Sequence, residues 1–284
     1  MAQLGGASRS GREGRRFKSC HPDHFSKVKI MYKLAIYGKG GIGKSTCSCN
    51  VAAALASMGH TVMQIGCDPK ADSTRLHMQG EPLETVLDCI RNTSSTPALE
   101  QLVHRAPNGV YCVEAGGPVP GVGCAGRGII AAFDQLEKLN AYEQLKPDIV
   151  LYDVLGDVVC GGFAMPLRGQ YANEVAIVTS GEMMSLYAAS NIMHAIENFK
   201  NRGYAQLLGL IANLRNVENE CEKLQTFASE EHAEILKFIP RSNTVQSAEN
   251  AGKTVVEAFP ESEQAQVYFE LAKLIETRAK VHKG

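Results

Sequence analysis

Tyr32-Lys33-Leu34-Ala35-Ile36-Tyr37-Gly38-Lys39-Gly40-Gly41-Ile42-Gly43-Lys44-Ser45 joins an apolar run to a glycine-rich turn. The first six residues read as a buried strand, and the next eight fit G-x-x-x-x-G-K-[ST]. Ser45–Met58, directly after, reads as a helix. Strand, glycine loop and helix in that order make a cradle for phosphate. Backbone N–H groups curl around the oxygens, and the helix N-terminus adds the positive end of its dipole. Gly38, Lys39, Gly40, Gly41, Ile42 and Gly43 form the cradle, with Thr46 just inside the helix. Lys44 is placed to neutralise β- and γ-phosphates, and Ser45 to ligate magnesium.

Outward from this loop the chain alternates strands and helices. Short apolar runs bounded by turn residues predict parallel strands at Thr61–Gly66, Val110–Glu114, Ile149–Asp153, Glu174–Thr179, Leu207–Ala212 and Glu234–Ile239. Helices are expected at Arg127–Leu139, Ser185–Phe199 and Glu261–Lys280. Such βαβ units predict an α/β fold: a doubly wound, mostly parallel sheet with helices on both faces, of the P-loop NTPase type. No linker or repeat divides residues 31–284, which read as one domain.

Residues 1–30 differ. They carry seven basic and two acidic side chains and no periodic apolar pattern, so they read as a flexible basic tail. An artefact of the assigned start is the other reading, since Met31 directly precedes the first strand. Cys20, His21 and His24 lack partner ligands at zinc-like spacing.

The formal net charge of -1 and the absence of Trp argue against a nucleic-acid partner. No apolar run approaches the roughly 20 residues of a transmembrane helix, and no signal peptide is visible. A cytoplasmic chain with no membrane partner is expected. Nine cysteines is then a high number, because a reducing compartment disfavours structural disulfides.

Two further segments carry acids at strand ends. Gly66-Cys67-Asp68-Pro69-Lys70-Ala71-Asp72-Ser73-Thr74 puts Asp68 and Asp72 where phosphates and magnesium sit in such sheets. Ile149-Val150-Leu151-Tyr152-Asp153 is an apolar run ending in Asp, the Walker-B pattern. Asp153 is expected to act on magnesium directly or through water.

Cys47, Cys49, Cys67, Cys89 and Cys112 fall in helices or strands and read as small buried hydrophobes. Cys221 falls in a polar helical stretch. Cys124 and Cys160 are flanked by glycines in loops ahead of helices, where a thiolate or an anionic cluster is favoured. A 4Fe-4S cluster needs four thiolates, and no run in the chain supplies four. Two ligands per chain would allow a cluster shared on a two-fold axis, but spacing alone favours two structural thiols.

Lys39 is surplus to binding the chain's own phosphates. KGGxGK[ST] resembles the variant P-loop of the ATPases that include septum-site, plasmid-partition and nitrogenase iron proteins. In that family the extra lysine reaches across a homodimer to the partner's nucleotide; the plain alternative is an exposed loop lysine.

The resemblance narrows at three segments. Gly66–Arg75, Gly121-Val122-Gly123-Cys124-Ala125-Gly126-Arg127-Gly128 and Asp153–Pro166 are similar almost word for word to nitrogenase iron proteins, and Ser180-Gly181-Glu182-Met183-Met184 matches too. It extends from Met31 to about Lys280. It implies that Cys124 and Cys160 are ligands of one 4Fe-4S cluster per homodimer. Asp153 and Asp157 would begin the switch joining nucleotide to cluster, and Asp68 would lie near the attacking water. Lys39, Asp68 and Asp157 are the implied catalytic residues. Ser45, Asp72 and Asp153 are expected at the magnesium of MgATP. Asn213, Pro240, Arg241 and Gln246 resemble adenine-side contacts, and Arg127 matches an arginine that some members carry ADP-ribosylated.

The implied function is an ATP-hydrolysing iron-sulfur oxidoreductase component. It would take electrons from a ferredoxin-type or other low-potential donor and pass them to a nitrogenase-like catalytic component. Known branches serve nitrogenase, chlorophyll precursors and a nickel tetrapyrrole. The chain stops soon after Lys280, and Thr46-Cys47-Ser48-Cys49-Asn50 replaces the Thr/Gln-rich run of nitrogenase members. Both departures count against nitrogen fixation, while Met165-Pro166-Leu167-Arg168 and Gly181-Glu182-Met183-Met184 resemble nitrogenase members more than the chlorophyll branch. The resemblance then favours reductive cyclisation of nickel-sirohydrochlorin a,c-diamide, toward the methyl-coenzyme M reductase cofactor. Nitrogen fixation is the alternative, and a non-redox partition or metal-trafficking ATPase a further one.

Overall fold

The computed structural model describes residues 31–282 except 94–95, 118–124, 157–165, 168–170 and 200–202. The expectation for residues 1–30 therefore lies outside the described residues. The strands are β1 (Tyr32–Tyr37), β2 (Val62–Cys67), β3 (His104–Arg105), β4 (Tyr111–Glu114), β5 (Ile149–Val154), β6 (Glu174–Thr179), β7 (Gln206–Asn213) and β8 (Ile235–Ile239). They form one sheet in the order β3-β4-β2-β5-β1-β6-β7-β8. Every pairing is parallel except that of β3 with β4.

The seven expected strands are all present, with ends within a residue or so of the sequence reading. The apolar runs are continuous because helices cover both faces of these strands. β3 was not anticipated: two residues at a sheet edge carry no periodicity. The helices are α1 (Lys44–Ser57), α2 (Val86–Asn92), α3 (Leu99–Leu102), α4 (Ala125–Lys138), α5 (Ala141–Leu145), α6 (Met183–Phe199), α7 (Glu220–Glu230), α8 (Asn243–Asn250), α9 (Val255–Ala258) and α10 (Glu263–Val281). Among the described residues no helix is long and apolar enough to cross a membrane.

Two cores lie on opposite faces of the sheet. One, under α2, α4 and α6, contains Ile129, Phe133 and Ile192; the other, under α1, α9 and α10, contains Val51, Leu55 and Leu271. α1 is clasped between the sheet and α10, so even its Ser48 and Asn50 are buried. That explains its many small residues: Cys, Ser and Ala leave room for close packing on a helix covered on both sides. Cys47, Cys49, Cys67, Cys89 and Cys112 are buried as expected, and Cys221 is exposed.

β1 lies at the middle of the sheet, between β5 and β6. The chain leaves β1 toward β2 and later returns to its other side at β6, a switch point of the kind where parallel sheets bind ligands. The carboxyl ends of β1, β2 and β5 converge there.

Candidate nucleotide and magnesium site

The glycine loop begins where β1 ends and closes on the first turn of α1. Lys44 is buried in the loop, and its Nζ donates to the Lys39 carbonyl at 3.4 Å. Lys39 itself is half-buried, while Gly40 and Gly41 are exposed. Asn213, at the end of β7, donates through Nδ2 to the Ile42 carbonyl at 2.7 Å. Arg215 donates to the Gly41 carbonyl at 2.6 Å. The loop is thus braced from the neighbouring strand exit.

That brace is itself anchored. Glu220 is buried, and its carboxylate accepts from the N–H groups of Gly181 (2.8 Å), Arg215 (2.9 Å) and Val217 (3.1 Å). The exits of β6 and β7 are therefore tied to one carboxylate. Just beyond Gly181, Met183, Met184 and Tyr187 stand largely exposed.

Beside the loop is a cavity of about 300 Å³, lined in part by Thr46, Asn213, Arg215, Pro240, Arg241 and Gln246. The expected adenine-side residues thus share one cavity next to the phosphate cradle. Thr46 donates to Glu249 at 2.9 Å, linking α1 to α8 along its wall.

On the magnesium side, Asp153 lies one residue before the end of β5 and is 3% exposed. Burial raises its proton affinity; Lys44 and the hydroxyls of Ser45 and Ser73 oppose that, and Asp72 adds to it. Its Oδ1 is buried with no hydrogen-bond partner. An orphaned carboxylate oxygen next to a serine hydroxyl suits a hard cation that takes oxygen ligands. Ser45 and Asp153 would hold magnesium here, with Asp72, exposed on the adjoining loop, near enough to act on Asp153. Asp68 is half-buried and accepts from the Lys70 N–H at 3.0 Å, a side-chain turn that shapes the loop.

Beyond Asp153 the chain runs back against the glycine loop. A Cβ on Gly156 would lie 2.0 Å from the Gly38 carbonyl oxygen and 2.9 Å from the Lys39 Cα. Only glycine allows that approach. Asp157, Cys124 and Cys160 lie outside the described residues, as does the side chain of Arg127.

Residues 32–283 match the model of the 4Fe-4S iron sulfur cluster binding proteins, NifH/frxC family. The chain belongs to that family. It is 54% identical over 250 residues to the nitrogenase iron protein of Methanospirillum hungatei, covering 87% of this chain and 88% of the relative. It is 53% identical over 242 residues to nitrogenase iron protein 2 of Methanothermobacter thermautotrophicus, covering 85% and 88%. Among solved structures, the septum site-determining protein MinD of Pyrococcus horikoshii, complexed with Mg-ADP, aligns with a TM-score of 0.67 at 22% identity, over 90% of this chain and 99% of that one. Cobyrinic acid a,c-diamide synthase of Mycobacterium smegmatis, with a bound ATP analog and magnesium, aligns at 0.65 and 19%, over 89% and 97%. At those identities the two structures speak for the fold alone. As a member of the iron protein family, the chain is an ATP-hydrolysing iron-sulfur reductase component whose cofactors are a 4Fe-4S cluster and MgATP.

Glu114, Arg215, Glu220 and Gly156 were not singled out by sequence. Glu114 had a readable signal: like Asp153, it is an acid closing a buried apolar run. Glu220 and Arg215 had none, since their bonds join segments distant in sequence.

Proposed function

We propose that two copies of the chain share one 4Fe-4S cluster through Cys124 and Cys160 of each. MgATP binding and hydrolysis at the glycine loop then gate electron transfer from that cluster to a nitrogenase-like catalytic component. The observation that carries this is the contact of Gly156 with Gly38 and Lys39. From Asp153 the chain touches the phosphate-binding backbone three residues on, and Cys160 follows four residues later. A segment pressed against that loop cannot ignore a change in the phosphates it holds. A ligand shifts such an equilibrium only through contacts that differ between the two states.

In this reading Asp157 senses the γ-phosphate or its attacking water, and Asp68 lies beside that water. Lys39 reaches the partner's nucleotide. The exposed Met183, Met184 and Tyr187, next to the β6 exit, support burial against a second copy. The test is Asp157→Ala. It should keep cluster and nucleotide yet show little MgATP dependence in the rate at which a chelator removes iron. A full nucleotide response in this variant would refute the assignment.

For the acceptor, we infer a component that reductively cyclises a nickel tetrapyrrole, fed by a ferredoxin-type donor. The residues Thr46–Asn50 in the P-loop helix support this branch. The names of both relatives favour nitrogen fixation as the second reading. Turnover with the catalytic partner separates them: MgATP-dependent conversion of nickel-sirohydrochlorin a,c-diamide against ammonia formed from dinitrogen.

A further inference from the structure

We propose that Glu114 is a positioning residue that ties the magnesium-side loop to the strand leading into Cys124, giving the nucleotide a second mechanical route to the cluster. The proposal rests on the assignment of Cys124 as a ligand made above. The route through Gly156 serves Cys160 alone. β4, the strand that precedes Cys124 in the sequence, lies on the far side of β2 and needs a linkage of its own.

Glu114 is the last residue of β4 and is 1% exposed. Its Oε1 accepts from both the N–H and the hydroxyl of Thr74, each at 2.7 Å. Thr74 closes the loop that carries Asp68 and Asp72. The carboxylate can enter because residue 66 has no side chain: a Cβ there would lie 2.0 Å from Glu114 Oε2.

The same loop meets the β4 exit a second time. A Cβ on Gly117 would lie 2.5 Å from the Cβ of Pro69. Between the two contacts, Ala115 donates its N–H to the Gly66 carbonyl at 2.9 Å. The loop is therefore fastened to the β4 exit near each of its ends, at Pro69 and at Thr74. Cys124 follows Gly117 by seven residues.

The loop end is also held from behind. Gln64 donates to the Ser73 carbonyl (2.9 Å) and hydroxyl (3.0 Å), and His77 bonds the Gln64 Oε1 at 3.1 Å. Asn108 completes the chain at 2.8 Å from His77. A loop anchored this way moves as one piece. A displacement at Asp68 or Asp72 is then passed to Glu114 and Gly117 rather than absorbed locally.

The test uses the full chain as the reconstituted protein under anaerobic conditions. It compares wild type, Glu114→Ala, Glu114→Gln and Thr74→Val. Hydrogen exchange in residues 118–124, with and without MgATP, reads the linkage without relying on the cluster. Chelator access to iron reads its consequence. Glu114→Ala should retain iron and MgATP affinity while losing about tenfold of the nucleotide-dependent change in both readouts. Glu114→Gln, whose amide oxygen still accepts from Thr74, should restore most of it. An unchanged MgATP response of 118–124 in Glu114→Ala would overturn the proposal. If Glu114→Ala fails to fold, Thr74→Val decides, since it deletes only the hydroxyl bond: a reduced response supports the linkage and a wild-type response overturns it. Failure of the underlying reading looks different. Cys124→Ser with full iron would remove Cys124 as a ligand, while the exchange data would still decide the clamp.

Discussion

Glu114 and Asp153 stand on either side of Gly66 in the sheet register, two buried carboxylates that each keep one oxygen without a hydrogen-bond partner. Both are pushed toward their protonated forms by burial, Glu114 to about 7 from its ordinary 4.5. Asp153 and Asp72 face Glu114 and push it the same way, against the two bonds from Thr74.

The folded chain therefore keeps a proton on Glu114 that the unfolded chain has released between about pH 4.5 and 7. That contribution to stability is complete below 4.5 and is lost as pH rises through 7, at about 1.4 kcal/mol per pH unit. His77 has the opposite sign. Burial lowers it to about 3 from 6.5, so its contribution is lost as pH falls below 6.5. Between 4.5 and 6.5 the two slopes oppose each other. Urea denaturation of metal-free, nucleotide-free Glu114→Gln should uncover a stability that rises with pH in that window. A slope equal to that of wild type would contradict the balance.

Lys44→Ala should lose nucleotide binding, whereas Lys39→Ala should bind ATP and hydrolyse it poorly. In the proposed reading Lys44 would offset ground-state phosphate charge from inside the loop, and Lys39 would meet charge developing in the transition state. Loss of such a contact costs about 3 kcal/mol, or roughly a hundredfold in rate. Calorimetric binding and single-turnover hydrolysis separate the two roles; equal loss of affinity in both variants would merge them.

Cys124→Ser and Cys160→Ser should each abolish the cluster, while Cys112→Ser should retain it. Cys112 is fully buried in β4, where a serine hydroxyl costs about 1–3 kcal/mol of stability and no ligand. Iron content and the electron paramagnetic spectrum of the reduced protein decide this. Full iron in either of the first two would displace that thiol from the ligand set.

Gly156→Ala should force the β5 exit off the glycine loop, because its methyl would enter the Gly38 carbonyl. Overpacking of this kind costs about 1–3 kcal/mol. The expected result is weakened MgATP binding together with a cluster that no longer responds to it. Gly59→Ala, at a turn with open space around it, is the control for backbone effects alone.

The frame of the fold was legible because its strands are buried on both faces and so appear as unbroken apolar runs. The phosphate loop was legible because its residues are consecutive. β3 and the short helices α3, α5 and α9 escaped, being too brief for a period to show. α7 showed only as the polar helical stretch around Cys221, and α8 escaped because its exposed face leaves few apolar positions. The site divides the same way. Lys44, Ser45 and Asp153 announce themselves by local pattern, whereas Glu114 gains its place only from Gly66 and Thr74, both far earlier in the chain. Glu220 likewise looks like any surface acid until its bonds to Gly181 and Arg215 are seen.

The place of β1 in the sheet has a consequence for synthesis. Among the described residues it is the first strand made, yet its partners β5 and β6 begin at Ile149 and Glu174. At about 5–20 residues per second, a ribosome needs roughly 5–25 s to supply them. Throughout that interval an apolar strand and the glycine loop behind it emerge with no neighbour to pair with. Such non-local parallel pairing is slow and exposed to aggregation. Overproduction should therefore fail first by aggregation of chains shorter than about β6.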